Sequence, residues 1–237
     1  MYSLNQDERL IFIGGSPRSG TTLVQNILDS HPDIFGGPEF LHLPDIIHLR
    51  EKLHGSISRG WIDLFCSCED VDGYIRSFIE NLLLPLADKQ RSKFISEKTP
   101  ENILVFSELL KLFPQAHFIH VIRDPRAIVF SMQQVRNRAI NKGFIPPAFT
   151  ATISASIKYA ERCINAGLTA SKNAPDKVLT VVYERLVIDP EKETKKICKF
   201  LGFEWNSQMI FPANKEHLGE KAITSKSNEI WYDKKMY

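Results

Sequence analysis

The amino-acid sequence predicts an α/β fold, a P-loop-like parallel sheet flanked by helices, on three observations. Short, nearly continuous apolar runs alternate with longer segments of helical periodicity. Three of those segments open on a capping residue followed by proline, at Thr99–Pro100, Asp124–Pro125 and Asp189–Pro190. The first apolar run empties into a glycine-bearing loop that leads directly into a helix.

In chain order, Leu10–Ile13 is the first predicted strand, and Thr21–Leu28 the helix that follows its loop. Residues 40–92 form an insertion of helical fragments broken by Gly55, Gly60, Gly73 and Pro85. Lys93–Ser96 is the second strand, and the "ENILVFSELLKLF" helix starts behind Thr99 and Pro100. His117–Ile122 is the third strand, with Asp124 capping "RAIVFSMQQVRNR". Residues 137–147 are loop-like. Phe149 to Leu168 is a long amphipathic helix whose core face is Phe149, Ile153, Ile157, Ala160, Ile164 and Leu168. Val178–Val182 is the last strand, "EKETKKICKFLG" the last helix, and 212–237 a loop-like C-terminal segment. In open parallel sheets ligands sit at the carboxyl ends of the strands, so the polar turns after the strands are expected to converge.

The 237 residues are read as one domain, 1–237, since 43% apolar and 24% charged residues suffice for one sizeable core. A formal net charge of +2 gives no reason to expect a nucleic-acid partner. No apolar stretch reaches the roughly 18 to 20 residues that span a bilayer, so no membrane contact is expected of this chain. Cys66, Cys68, Cys163 and Cys198 are scattered and read as free thiols. That usage fits a cytoplasmic location, or a lumenal one if a membrane anchor precedes this stretch in a longer chain. Oligomeric state is open between monomer and homodimer.

The first loop reads G-x-x-x-x-G-T-T from Gly15 to Thr22, a Walker A pattern without its lysine. A helix N-terminus offers unpaired backbone N–H groups and a partial positive charge, so Gly20, Thr21 and Thr22 form an anion cradle. Arg18 supplies a forked cation inside it. Asp124 is explained as a helix cap, which leaves no Walker B acid for a metal-clamped triphosphate.

"PRSGTT" with "LDSHPDI", then "EKTPEN", "HFIHVIRDPRAIVFSM", "VVYERLVIDPE" with "FLGF", and "SKSNE" together resemble sulfotransferases that use 3′-phosphoadenosine 5′-phosphosulfate, within them the tyrosylprotein sulfotransferase-like branch. The resemblance runs from residue 10 to about 230. It implies that Arg18, Ser19, Gly20, Thr21 and Thr22 hold the 5′-phosphosulfate, and that Arg123 and Ser131 hold the 3′-phosphate. Tyr183 would support the nucleotide and Ser227 contact the donor. It also implies Glu39 as the base that deprotonates an acceptor hydroxyl, Lys98 as the cation on the bridging oxygen, Ser225 as an assisting serine, and no metal. The product nucleotide would be adenosine 3′,5′-bisphosphate.

Plainer readings stand beside these. Lys98 could pair with Glu97 or Glu101 on the surface, Ser131 could be an ordinary helix serine, and Tyr183 could be core packing. A P-loop small-molecule kinase, or a nucleotide-binding module without chemistry, would also fit the cradle. Leu41 stands two positions after Glu39 where the tyrosylprotein branch tends to carry arginine, and Val135 four residues beyond Ser131 is a second departure. These leave the acceptor open among tyrosyl, phenolic, sugar and alcohol hydroxyls. None of the seven histidines sits in a metal-ligand pattern.

Overall fold

The computed structural model describes residues 5–218. Five parallel strands form one sheet in the order β2-β3-β1-β4-β5: β1 Leu10–Gly15, β2 Ile34–Gly36, β3 Phe94–Lys98, β4 His117–Ile122 and β5 Val178–Val182. β1 is central, paired with β3 through Ile13↔Lys98 and with β4 through Gly15↔Val121. The chain fills one side of β1 and then the other, which makes the carboxyl end of β1 the place where the connections diverge.

Every residue of β1 is buried because helices cover both faces. Leu10 and Phe12 face one core, with Phe106, Phe113 and Phe118. Ile11 and Ile13 face the other, with Val24, Ile27 and Leu28 of α1 (Thr21–Asp29) and Ile197 and Leu201 of α8 (Pro190–Leu201). Phe118 stacks on Phe12 at 5.4 Å and meets Phe106 edge-on at 5.1 Å. Burial of each such ring contributes about 2–3 kcal/mol.

The four predicted strands are present, and a fifth, β2, adds the sheet edge. The insertion is not fragmentary. It consists of α2, Leu43–Ser58, and α3, Cys68–Lys89, each continuous. Of the four expected breakers only Gly60 lies between them. Gly55 is absorbed within α2, and Gly73 lies in α3 with open space around it. Pro85 and Asn81, one turn earlier, are both exposed, so the carbonyl that proline orphans faces water. Arg50, buried in α2, binds Asp72 of α3 at 2.6 Å and Glu108 of α4 (Phe106–Leu112) at 3.0 Å, tying the insertion to the sheet's helices.

Two further expectations are corrected. α5 runs Pro125–Asn141, so half of the expected 137–147 loop is helical. α6, Ile153–Asn173, turns Ser156, Ala160, Cys163, Gly167 and Ala170 inward, while Ile153, Ile157 and Leu168 are exposed. At Gly167 the cause is distance: a Cβ there would lie 2.3 Å from the His120 ring of β4, so no side chain fits at that position. Short α7 is Tyr183–Ile188. Among the described residues no helix is long and apolar enough to cross a membrane.

Candidate active site at the carboxyl ends of the strands

The loop after β1 turns through a Ser19 N–H bond to the Ser16 carbonyl at 3.0 Å. Arg18 (φ 75°) and Gly20 (φ 101°) both adopt left-handed backbone. For arginine that conformation is strained by about 1–3 kcal/mol. At Gly20 no side chain fits, because a Cβ would sit 2.3 Å from the Tyr183 ring. α1 starts at Thr21 without a side-chain cap, so the positive end of its dipole faces the loop. Ser19 Oγ is buried with no partner among the described residues. Such a hydroxyl costs about 1–3 kcal/mol unless an external group completes it.

The turn after β4 comes to the same place. An Arg123 Nη1–H donates to the Arg18 carbonyl at 3.2 Å, and the guanidinium lies 4.4 Å over the Tyr183 ring. Arg18 Nε donates to Ser131 Oγ of α5 at 3.0 Å. Arg18, Ser131, Arg123 and Tyr183, from four separate segments, therefore form one cationic corner. Asp124 caps α5 through the Arg126 N–H at 2.8 Å, and its bonds to Arg126 hold its carboxyl down at about 2.

Lys98 is the last residue of β3 and wholly buried. Its ammonium donates to Thr22 Oγ1 at 3.2 Å and forms an ion pair with Glu39. The surface pairing of Lys98 with Glu97 or Glu101 is thereby excluded. Its burial is tolerable because a carboxylate and a hydroxyl meet the charge. Glu39 sits on the loop after β2, whose backbone is fixed by three bonds. Gln25 Nε2 donates to the Gly37 carbonyl at 2.7 Å, Gly37 N–H to the Ser96 carbonyl at 2.9 Å, and Phe40 N–H to Glu97 Oε1 at 2.9 Å. Glu101 is close enough for the Glu39 charge to add to the effect of burial, and both push its carboxyl upward.

Two supporting residues, Glu97 and Asp29, carry no sequence motif of their own role. Glu97 is buried between strands and accepts from Phe40, Thr99 and Asn102; burial pushes it up to about 7 against those bonds. Thr99 consequently does not cap the following helix, which begins as a 3-10 segment, Pro100–Val105. Asp29 accepts the Gly36 N–H at 2.7 Å and meets His217 Nδ1 at 2.6 Å, anchoring β2 and residue 217 to α1. The only sequence signal for them is that they lie within the same short motifs as the expected site residues. The expected Ser225 and Ser227 lie outside the described residues. Among the described residues no cluster of three His, Cys, Asp or Glu side chains has metal-ligand geometry.

Zebrafish (Danio rerio) Protein-tyrosine sulfotransferase 1 is 32% identical over 211 residues, which cover 88% of this chain and 57% of that protein. Protein-tyrosine sulfotransferase of Drosophila melanogaster is 32% identical over 220 residues, 89% of this chain and 41% of its own. The chain thus spans only about half the length of such relatives. In structure it is similar to the sulfotransferase domain from the curacin biosynthetic pathway, with TM-score 0.63, 18% identity and coverage of 94% and 82%. Mouse sulfotransferase SULT7A1 complexed with PAP gives TM-score 0.55 and 19% identity, with coverage of 95% and 75%. At those identities the likeness establishes the fold. The profile described as the sulfotransferase family matches residues 10–207, and the chain belongs to that family.

Proposed function

We propose that this chain transfers a sulfuryl group from 3′-phosphoadenosine 5′-phosphosulfate to an acceptor hydroxyl. The observation that carries the proposal is the Lys98 ammonium, which touches both the anion cradle, at Thr22, and the carboxylate expected to act as base, Glu39. Donor and acceptor chemistry would thus meet at one buried cation. Family membership supports the reaction class, and a structural relative complexed with PAP supports the nucleotide.

The residues present fit such a nucleotide. Ser19 Oγ, buried and without a partner among the described residues, and the uncapped start of α1 are donors suited to the 5′ end, with Gly20, Thr21 and Thr22. Arg123 and Ser131 suit the 3′-phosphate, and Tyr183 braces Arg123 through its ring face. Arg18 links the two ends, its backbone in the cradle and its guanidinium on Ser131.

When bound, the donor supplies an activated sulfuryl group and an anionic leaving oxygen. Glu39 takes the proton of the acceptor hydroxyl as that oxygen forms its bond to sulfur. In the same in-line displacement the bond from sulfur to the bridging oxygen breaks, and Lys98 stabilises the charge left there. Acceptor choice is proposed only as far as a hydroxyl: tyrosyl, phenolic, sugar or alcohol. Leu41, 61% exposed beside the base, offers an apolar contact rather than a cation to whatever binds there.

The test is radiolabelled sulfate transfer across phenol, sugar, alcohol and tyrosyl-peptide acceptors. Glu39→Ala should lower turnover by about 10²–10⁴-fold while calorimetry shows unchanged binding of adenosine 3′,5′-bisphosphate. Undiminished turnover in that variant would remove Glu39 as base. Transfer from ATP with magnesium instead would overturn the reaction.

A further inference from the structure

Glu97 is 1% exposed, and on its strand it follows the buried apolar and small residues Phe94, Ile95 and Ser96 and precedes the buried Lys98. A buried carboxylate needs a reason. Its Oε1 accepts the Phe40 N–H at 2.9 Å and the Thr99 hydroxyl at 2.7 Å, and Oε2 accepts from Asn102 Nδ2. All three partners donate, so the arrangement is built for the ionised form. Phe40 directly follows Glu39. The bond to its N–H therefore fixes the backbone that carries Glu39 against the strand that carries Lys98.

We propose that Glu97 is a positioning residue whose negative charge holds the Glu39 loop in register with Lys98, so that its protonation slackens the site. The proposal rests on the sulfuryl-transfer reading for its kinetic consequence, while its structural consequence stands alone. The next residue, Lys98, favours the ionised form. The loop and the 3-10 segment that bond to Glu97 carry one further acid each, Glu39 and Glu101. Burial nevertheless raises Glu97 to about 7. As pH falls through that value the carboxyl gains a proton, and its bond to Phe40 drops from charge-assisted to neutral strength.

The test uses Glu97→Gln, a neutral isostere of the protonated acid. It should fold, because Asn102 Oδ1 is buried without a partner among the described residues and can turn to accept from the new amide. Two readouts are made on the intact chain. In nuclear magnetic resonance the Phe40 amide should titrate with a midpoint near 7 in the wild type and stay flat in Glu97→Gln. In kinetics Glu97→Gln should lose ~10-fold in kcat at alkaline pH, with nucleotide affinity unchanged, and lose the rate step near pH 7. Glu97→Ala should lose ~10²-fold, as expected for a misplaced catalytic group. A Phe40 amide that does not titrate between about pH 5.5 and 8.5 would overturn the proposal. So would a Glu97→Gln enzyme with the wild-type kcat and the wild-type step. A titrating amide in a protein that transfers no sulfate would refute the activity and leave the coupling intact.

Discussion

Arg18 and Ser131 are 113 residues apart in the chain, and Arg18 Nε donates to Ser131 Oγ across 3.0 Å. The bond locks the loop after β1 to α5. Arg123 completes the corner by donating to the Arg18 carbonyl and lying over Tyr183. Three strand ends thereby converge beside β1, and the loop bearing Glu39 joins them through Lys98.

Lys98→Met tests function and stability together. Removing one partner of a buried ion pair ordinarily costs about 3–5 kcal/mol, and the cost is at the low end here because Glu39, with 19% of its side chain exposed, can be partly hydrated when its partner is gone. The melting temperature should fall by several degrees, while kcat falls by about 10²–10³-fold. Lys98→Arg, forcing a larger fork into a site without spare surface, should lower the melting temperature. Thermal unfolding and steady-state kinetics on the two variants check both statements.

Gly20→Ala meets two obstacles, a φ of 101° and the Tyr183 ring. Denaturant unfolding should show a loss of about 1–3 kcal/mol. The double variant with Tyr183→Ala removes the collision but not the backbone strain. A double-mutant cycle should therefore return a favourable coupling of about 0.5–3 kcal/mol. Strict additivity would mean that the ring does not confine residue 20.

His120 gives stability a pH dependence. It is fully buried on β4, neither ring nitrogen has a partner among the described residues, and burial holds it down at about 4 from its ordinary 6.5. The unfolded chain takes up this proton first. The contribution is complete above pH 6.5 and is lost as pH falls towards about 4, amounting to up to about 3 kcal/mol. Urea midpoints at neutral pH and near pH 5 should differ less in His120→Leu than in the wild type.

The sheet was largely legible in the sequence because its strands are buried on both faces and so carry unbroken apolar runs. β2 escaped notice because three residues, Ile34–Gly36, pair only with β3. The inward face of α6 is illegible for a steric reason: at Gly167 the His120 ring leaves no room for a side chain, while Ser156 and Ala160 pack on α5 and the exposed isoleucines face away from both. Glycine and proline misled in α3, where an exposed face makes both cheap. In the site, Arg18, Gly20 and Arg123 follow from strand-loop-helix logic. Glu39 and Lys98 rested on resemblance, because a carboxylate and an ammonium 59 residues apart carry no mark of their pairing. Glu97 and Gln25 were illegible, since the backbone groups they bind are fixed only by the folded chain.

The central claim is that one nucleotide is gripped at both phosphates by the β1 loop and the Arg123 corner. Calorimetric titration of wild type and Arg123→Ala with adenosine 3′,5′-bisphosphate and with adenosine 5′-monophosphate tests it most directly. Loss of a charge-assisted contact should weaken the bisphosphate by about 10- to 100-fold and leave the monophosphate unchanged. Equal losses for both ligands, or none for either, would contradict it.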